Sequence, residues 1–124
     1  MHSAAKAYGA VSQASLPPRE LEAHVLMKSA AQLQAINENW DARKHEFETA
    51  LLQNRKIWTI LVSAVVEESN PLPRPIKQNI ANLAIFIFKR THELMQDPVP
   101  GRSSILISIN REIAAGLRAR AEAA

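Results

Sequence analysis

The residues best suited to chemistry are two histidines, His45 and His92, each followed directly by a glutamate. A zinc-binding helix of the His-Glu-x-x-His type needs a second histidine four residues after the first, so that both imidazoles share one face. Thr49 and Gln96 occupy those positions. The chain has four histidines and no cysteine, and their spacing matches no metal-ligand set. We therefore predict no metal site and no cofactor, and interpret the histidines as surface or half-buried structural residues.

Motifs for catalysis and phosphate binding are also missing from the sequence. The three glycines, at positions 9, 101 and 116, are too far apart to form a phosphate-binding loop. Ser103 and Ser104 stand at the expected start of a helix, where capping explains them. No nucleophile is paired with a base in a local motif, although a triad assembled across the fold stays open. The sequence predicts a protein that is not an enzyme and has no catalytic residues.

One asparagine interrupts an otherwise apolar helical stripe. Asn54 falls within a series spaced by 4, 3, 4, 3 and 4 residues, which is typical of a heptad-like seam facing an antiparallel helix. A buried amide is costly unless it is hydrogen-bonded, so we favour a register-setting hydrogen bond over contact with a ligand. Arg55 flanks the seam and is suited to stack on an aromatic ring or to pair with a carboxylate of a partner. The full stripe comprises Phe47, Leu51, Asn54, Trp58, Leu61 and Val65.

A second pair of asparagines, Asn79 and Asn82, flanks the apolar stripe of a later helix. They lie one turn apart. One interpretation is that they cap or bridge the proline-rich segment before this helix. The other is that they donate hydrogen bonds to a peptide or helix lying alongside. The sequence does not separate these alternatives.

The helix that carries these asparagines contains the most apolar stretch of the chain, residues 79–91. Helical periodicity from Ile76 to Leu83 and a proline in the expected first turn favour a helix over a strand, despite the β-branched and aromatic run at residues 85–88. Because apolar residues cover most of its circumference, we expect this helix to be buried on several sides and to lie at the centre of the fold.

Turn and cap residues divide the rest of the chain into three further helices. The first enters at residues 15–18 with Ser15 as its cap and ends near residues 37–39; the second follows a cap at Asp41 and spans about 42–67. Proline-rich segments at 69–75 and 97–101 bound the central helix. The last helix carries Ile105 or Leu106, Ile109, Ile113 and Leu117 as its stripe. We predict an all-α, small four-helix bundle forming a single domain over residues 1–124. Residues 1–15 would form a helical or frayed appendage and residues 118–124 a frayed tail.

Composition and charge narrow the class of protein. Apolar residues make up 47% of the 124 residues, enough for one core, and no apolar run is long enough to cross a bilayer. With no signal peptide visible, we expect a cytoplasmic location and no membrane partner. The net charge of +3 is uneven: residues 1–73 carry 7 basic and 8 acidic side chains, whereas residues 74–124 carry 8 and 4. That basic half permits an acidic partner without requiring one.

Five stretches, in this order, carry a resemblance to a known family. They are Arg-Glu-Leu-Glu-Ala at 19–23, Asn-Arg-Lys-Ile-Trp-Thr-Ile at 54–60, Asn-Pro-Leu-Pro at 70–73, Asn-Ile-Ala-Asn-Leu-Ala-Ile-Phe with Phe-Lys-Arg-Thr at 79–91, and Ile-Asn-Arg-Glu-Ile-Ala-Ala-Gly-Leu at 109–117. Through them the sequence resembles the FlaF regulators of flagellar biosynthesis in α-proteobacteria. The resemblance spans residues 19–117 and is only loose before them.

The resemblance implies a cytoplasmic protein needed for flagellin production and filament assembly, with flagellin and the companion regulator FlbT as partners. By the same resemblance, FlbT is expected to act on flagellin messenger RNA. Our first hypothesis is a chaperone-like regulator that binds flagellin; the second is an RNA-binding regulator of flagellin mRNA, acting directly or with FlbT; the third is a homodimer through the heptad seam. For the first, the predicted partner-binding residues are Asn54, Arg55, Trp58, Asn79, Asn82, Phe86 and Arg90.

Overall fold

The computed structural model describes residues 18–123, and four long helices account for most of them. These are α1 (Pro18–Glu38), α2 (Phe47–Val65), α3 (Arg74–Gln96) and α4 (Ser104–Ala123). Residues 18–123 include no strand. The predicted all-α four-helix bundle is therefore confirmed. The appendage predicted for residues 1–15, with the cap at Ser15, lies outside the described part of the chain. α4 continues to Ala123, through the segment for which the sequence predicts fraying.

The helices pair unequally. α1 packs mainly against α4 and also against α2, and α2 packs in turn against α3. The middle of the bundle is therefore formed by α1 and α2. The predicted central position of α3 is wrong, because only one of its faces is covered. Its buried stripe comprises Ile80, Ala84, Ile87, Thr91 and Leu94, whereas Ile85 is 67% exposed and Phe86 is 37% exposed.

The predicted seam of α2 is confirmed residue by residue. All six of its positions are buried, and Asn54 and Trp58 have no exposed surface. The seam works because residues spaced by three and four lie on one face of a helix, where they meet α1 and α3 together. α2 therefore supplies the largest share of bulky core side chains, including Trp58 and Phe47.

The connection between α1 and α2 differs from the prediction. A separate helical turn, Trp40–Arg43, and a 3-10 turn, Lys44–Glu46, precede α2, which begins at Phe47 and not near residue 42. Asp41 lies inside the first of these turns and does not cap α2. The chain changes direction here because the Trp40 ring packs edge-on against Phe47, with 5.0 Å between ring centroids. Hydrogen bonds from Arg43 to Glu46, at 2.8 and 2.9 Å, brace the turn and lower the pKa of that carboxyl.

A polar contact joins the end of α1 to the start of α4. Ser103 stands at the N-cap position of α4, and its carbonyl accepts hydrogen bonds from the next turn. Its hydroxyl is not used as a cap; it exchanges hydrogen bonds with the Asn37 side chain, whose Nδ2 lies 2.9 Å from Ser103 Oγ. Gly101 provides the preceding turn with a φ of +87°, a conformation that favours glycine. This contact holds α4 against α1 at the end of the bundle where α3 also finishes.

Candidate partner-binding groove

The core contains a hydrogen-bonded group of four side chains from three helices, here called the polar cluster: Ser29, Asn54, Trp58 and Asn110. Ser29 Oγ donates to Asn54 Oδ1 at 2.9 Å, and Trp58 Nε1 donates to Asn110 Oδ1 at 2.8 Å. Asn110 Nδ2 donates both to Asn54 Oδ1, at 2.7 Å, and to the Leu26 carbonyl, at 3.1 Å. The polar cluster therefore ties α1, α2 and α4 together in one register.

The orientation of both amides follows from the indole. Trp58 Nε1 is only a donor, so the atom of Asn110 that faces it must be the oxygen. Asn110 Nδ2 then faces Asn54, so the atom of Asn54 that accepts this hydrogen bond must be its oxygen. The remaining atom, Asn54 Nδ2, is buried and has no hydrogen-bond partner among the described residues. The cluster is thus satisfied except for one donor, which limits how much it stabilises the fold.

Asn54 and Trp58 were predicted as partner-binding residues, and the structure places both entirely inside the core. The register-setting interpretation that the sequence favoured for Asn54 fits this position. Sequence reasoning missed Ser29 and Asn110. Asn110 carried the same signal as Asn54, because it lies four residues after the apolar Leu106 and seven before Leu117 on one helical face.

Three of the other predicted residues lie along one edge of α3. Asn79, Phe86 and Arg90 fall at spacings of 7 and 4, and Leu83 completes the row. The Arg90 guanidinium carbon stands 5.2 Å from the centroid of the Phe86 ring, and Arg90 Nε lies 3.2 Å from Glu93 Oε1. Phe86 is therefore held in place by a cation at one end of the row, while Asn79 occupies the other.

Asn82 and Arg55 lie elsewhere. Asn82 is exposed on a different edge of α3, where its Oδ1 accepts a hydrogen bond from Gln78 Nε2 at 3.1 Å. Arg55 is exposed on α2. The proline-rich segment is bridged by Asn70, which accepts from the Leu72 amide and donates to the Ala64 carbonyl. That bridging role, suggested by the sequence for Asn79 and Asn82, therefore belongs to another asparagine.

Two residues of this row, Asn79 and Leu83, line a groove between α3 and α4, whereas Phe86 and Arg90 lie beyond it. Because α3 packs mainly against α2 and α4 mainly against α1, the two helices have little close backbone contact with each other. The groove, of about 410 Å³, opens at the end of the bundle away from the loop that connects them. Its walls are Ile76, Asn79, Ile80 and Leu83 from α3, and Ile109, Glu112, Ile113, Gly116, Leu117 and Arg120 from α4. We call it the α3–α4 groove.

Apolar surface continues beyond the groove toward the connecting loop. Phe86 and Ile105 are each 37% exposed, which is high for such large apolar side chains. By helical spacing Phe86 follows Leu83 on α3, and Ile105 precedes Ile109 on α4. From Ile76 to Phe86 this apolar surface spans about 15 Å along the axis of α3. An apolar strip of this length accommodates a helical segment of about three turns.

Sequence comparison identifies the family. A family model described as flagellar protein FlaF matches residues 4–117. The chain belongs to the FlaF family. No curated protein and no solved structure matches it. The FlaF match includes both walls of the α3–α4 groove as far as Leu117, so the groove is built almost wholly from the matched part of the chain.

Two kinds of site have no support in the described part of this FlaF chain. Over residues 18–123, no group of three or more histidine or acidic side chains is placed to hold a metal ion. His45, one of the residues that begin a zinc-like motif, has a side chain that is 75% exposed. None of the described helices is both long enough and apolar enough to span a membrane.

Gly116 keeps part of the groove wall open. It lies inside α4, is exposed, and a β-carbon added to it would meet no atom within 4 Å. Glycine inside a helix costs about 1 kcal/mol relative to alanine. We therefore expect Gly116→Ala to raise the free energy of unfolding by about 0.5–1 kcal/mol, measured by urea denaturation followed by circular dichroism. A destabilised Gly116→Ala variant would show that the backbone at this position needs glycine.

Proposed function

We propose that this protein regulates flagellin synthesis and flagellum assembly by binding flagellin as a chaperone-like partner in the α3–α4 groove. The observation that carries the proposal is an apolar groove between two helices that pack against other helices and hardly against each other. Membership of the FlaF family supports a flagellar role. The same proposal places the protein in the cytoplasm, where flagellin is made.

The chemistry of the groove suits an amphipathic helix. By the resemblance to the FlaF family, the bound segment would be a terminal segment of flagellin, which we expect to be a helix of that kind with apolar residues at intervals of three and four. Ile76, Ile80 and Leu83 on one wall face Ile109 and Ile113 on the other, so one apolar stripe would contact both walls. Such helix-in-groove binding draws its affinity from apolar residues spaced over two or more turns. Each side chain that becomes fully buried contributes about 1.5–3 kcal/mol before the costs of ordering are subtracted.

Polar residues at the edges of the groove would set the orientation of a bound helix. Asn79 offers an amide that both donates and accepts, and Glu112 and Arg120 place opposite charges on the α4 side. Arg90, held over the Phe86 ring and paired with Glu93, lies farther along the same edge of α3. A bound helix would therefore be fixed in rotation by its apolar stripe and in orientation by its charged flanks.

Direct binding to flagellin mRNA, alone or with FlbT, has less support from the structure. Phosphate binding needs several free cations on one surface. In the basic half of the chain, Arg90, Arg102 and Arg118 each pair with a carboxylate. Those pairs lower the positive charge available to RNA. The remaining cations lie on two helices and not in one block.

Titration of the purified full chain separates these two functions. Flagellin and flagellin leader RNA are each titrated by fluorescence anisotropy at about 50 mM and 200 mM salt. We expect saturable flagellin binding that changes little between the two salts, because apolar contacts dominate, and no specific RNA binding. RNA binding that weakens by orders of magnitude at the higher salt, without flagellin affinity, would overturn the proposal and favour the RNA alternative.

A further inference from the structure

A second apolar groove runs between α1 and α2 and shares no residue with the α3–α4 groove. We call it the α1–α2 groove. At the start of α1 it is almost entirely apolar, with Leu21, Val25, Ile57, Ile60 and Ala64 along its walls and Leu26 and Leu61 beneath. Ile60 is 61% exposed with respect to residues 18–121, which is high for so large an apolar side chain. Val25, Ile57 and Ile60 also line the adjoining stretch, which makes the two parts one continuous surface.

The other end of this groove is basic. The stretch beyond Val25 is lined by Lys28, Arg43 and Lys56 and by glutamines, and none of its lining residues is a carboxylate. Arg43 already pairs with Glu46. Lys28 and Lys56 are exposed on opposite walls, and neither has an ion pair with a side chain of residues 18–121. Within that part of the chain, two ammonium groups without a carboxylate partner therefore flank one end of an apolar strip.

The one carboxylate at the apolar end is already compensated. Arg19 Nη1 lies 3.1 Å from Glu22 Oε1, and both atoms are buried although they are not aligned for a hydrogen bond. Burial raises the pKa of Glu22, and the charge of Arg19 opposes that shift. A cationic partner would have to compete with Arg19 for this carboxylate. The unbalanced charge in the groove is thus positive and concentrated at the lysine end.

We propose that the α1–α2 groove is a second docking surface, for an amphipathic helical segment of a partner protein whose apolar stripe is followed by carboxylates. The stripe lies on Leu21, Val25 and Ile60, and the carboxylates pair with Lys28 and Lys56. The walls from Leu21 to Ala35 span about 21 Å, enough for about four helical turns. The two grooves share no lining residue, so a helix in one leaves the walls of the other free and, given the proposed function, the protein joins flagellin to this second partner.

Two synthetic probes test the charge requirement. One is a fluorescein-labelled 16-residue helical peptide, so about four turns long, with leucines at intervals of three and four and glutamates at one end; the other carries glutamines in place of the glutamates. We expect the full chain to bind the glutamate peptide at least about tenfold more tightly at low salt, a difference of about 1.4 kcal/mol. Equal affinity for the two peptides would overturn the assignment of an acidic partner.

Paired variants test the location. Lys56→Glu is compared with Arg55→Glu, because Arg55 is the exposed neighbour of Lys56 and lies outside the groove. Ile60→Glu is compared with Val66→Glu, because Ile60 is 61% exposed inside the groove and Val66 is 66% exposed outside it. We expect Lys56→Glu to lower the affinity for the glutamate peptide at least about tenfold and to change the affinity for the glutamine peptide little. Ile60→Glu should lower the affinity for both peptides. Circular dichroism confirms that each variant is folded. Equal losses within a pair would show that the peptide binds elsewhere.

Gly116→Leu and full-length flagellin separate this inference from the proposed function. The substitution fills the α3–α4 groove and should leave the affinity for the glutamate peptide unchanged. Saturating flagellin should not displace the peptide from the wild-type chain. If flagellin displaces the peptide while Ile60→Glu abolishes flagellin binding, flagellin itself occupies the α1–α2 groove, and independent docking is overturned.

Discussion

Replacing Asn110 with leucine is expected to lower the free energy of unfolding by about 2–4 kcal/mol. The Trp58 indole N–H would lose its acceptor in a fully buried site, which costs about 1–3 kcal/mol. Asn54 Oδ1 and the Leu26 carbonyl would each lose a donor as well. Because the Asn110 amide bonds to both α1 and α2, its removal breaks the hydrogen bonds that join these two helices to α4.

Urea denaturation followed by circular dichroism measures this effect. Ser108→Ala is the matched control, because Ser108 lies two residues earlier on the same helix and is exposed, and it should change stability by less than about 0.5 kcal/mol. A stability loss for Asn110→Leu no larger than that of the control would show that the polar cluster contributes nothing net.

A double-mutant cycle with Trp58→Phe apportions the cost. Trp58→Phe alone removes the donor and leaves Asn110 Oδ1 buried without a partner. The double variant lacks both the indole N–H and the Asn110 amide, so neither is left buried without its partner. The combined loss of stability should therefore fall below the sum of the single losses by about 1–2 kcal/mol. Additive losses would mean that the 2.8 Å hydrogen bond between indole and amide is not energetically coupled.

Gly116→Leu is expected to reduce flagellin affinity at least about tenfold, which corresponds to about 1.4 kcal/mol of binding free energy. Gly116 stands in the wall of the α3–α4 groove, and a side chain there projects into space that the bound helix would occupy. The fold should tolerate the change, because an added β-carbon meets nothing within 4 Å and leucine has a higher helix propensity than glycine. Anisotropy titration with flagellin measures the loss.

Ala115→Leu is the control for this experiment. Residue 115 is exposed and lies about 100° around the helix from Gly116, outside the groove. The two variants add a leucine to the same helix and differ in the face that carries it. Equal affinities for flagellin, with both proteins folded, would place the flagellin site elsewhere and leave the α3–α4 groove without its proposed partner.

The fold class followed from local signals in the sequence. Prolines and the positions of apolar residues predicted four helices, and the seam from Phe47 to Val65 was correct at every position. Both are properties of consecutive residues: proline breaks a helix wherever it falls inside one, and spacings of three and four mark one face. The resemblance to the FlaF family likewise rests on short stretches in a fixed order, and the family model confirms it.

Local signals were weaker where a distant side chain decides the outcome. The start of α2 shifted to Phe47 because the Trp40 ring packs against it. Asp41 was a plausible cap by sequence, but the turn at residues 40–43 placed it inside a helical segment. Ser103 has the position of a cap, yet its hydroxyl bonds to Asn37, which is 66 residues away in sequence. In each case a tertiary contact, or a turn beyond the residues that were read, decided the helix start or the cap that the sequence had predicted differently.

The sequence by itself determined the all-α four-helix class and, through short stretches in a fixed order, the family. Only the tertiary structure decided which apolar faces are covered. Apolar residues surround much of α3, but one helix can contact only the neighbours that the topology provides, and among the helices of residues 18–123 α3 packs closely on α2 alone. The same topology leaves two apolar grooves between the described helices and brings Asn110 to Asn54 and Trp58. Burial depends on which helices meet, and helices distant in sequence meet only in the folded chain.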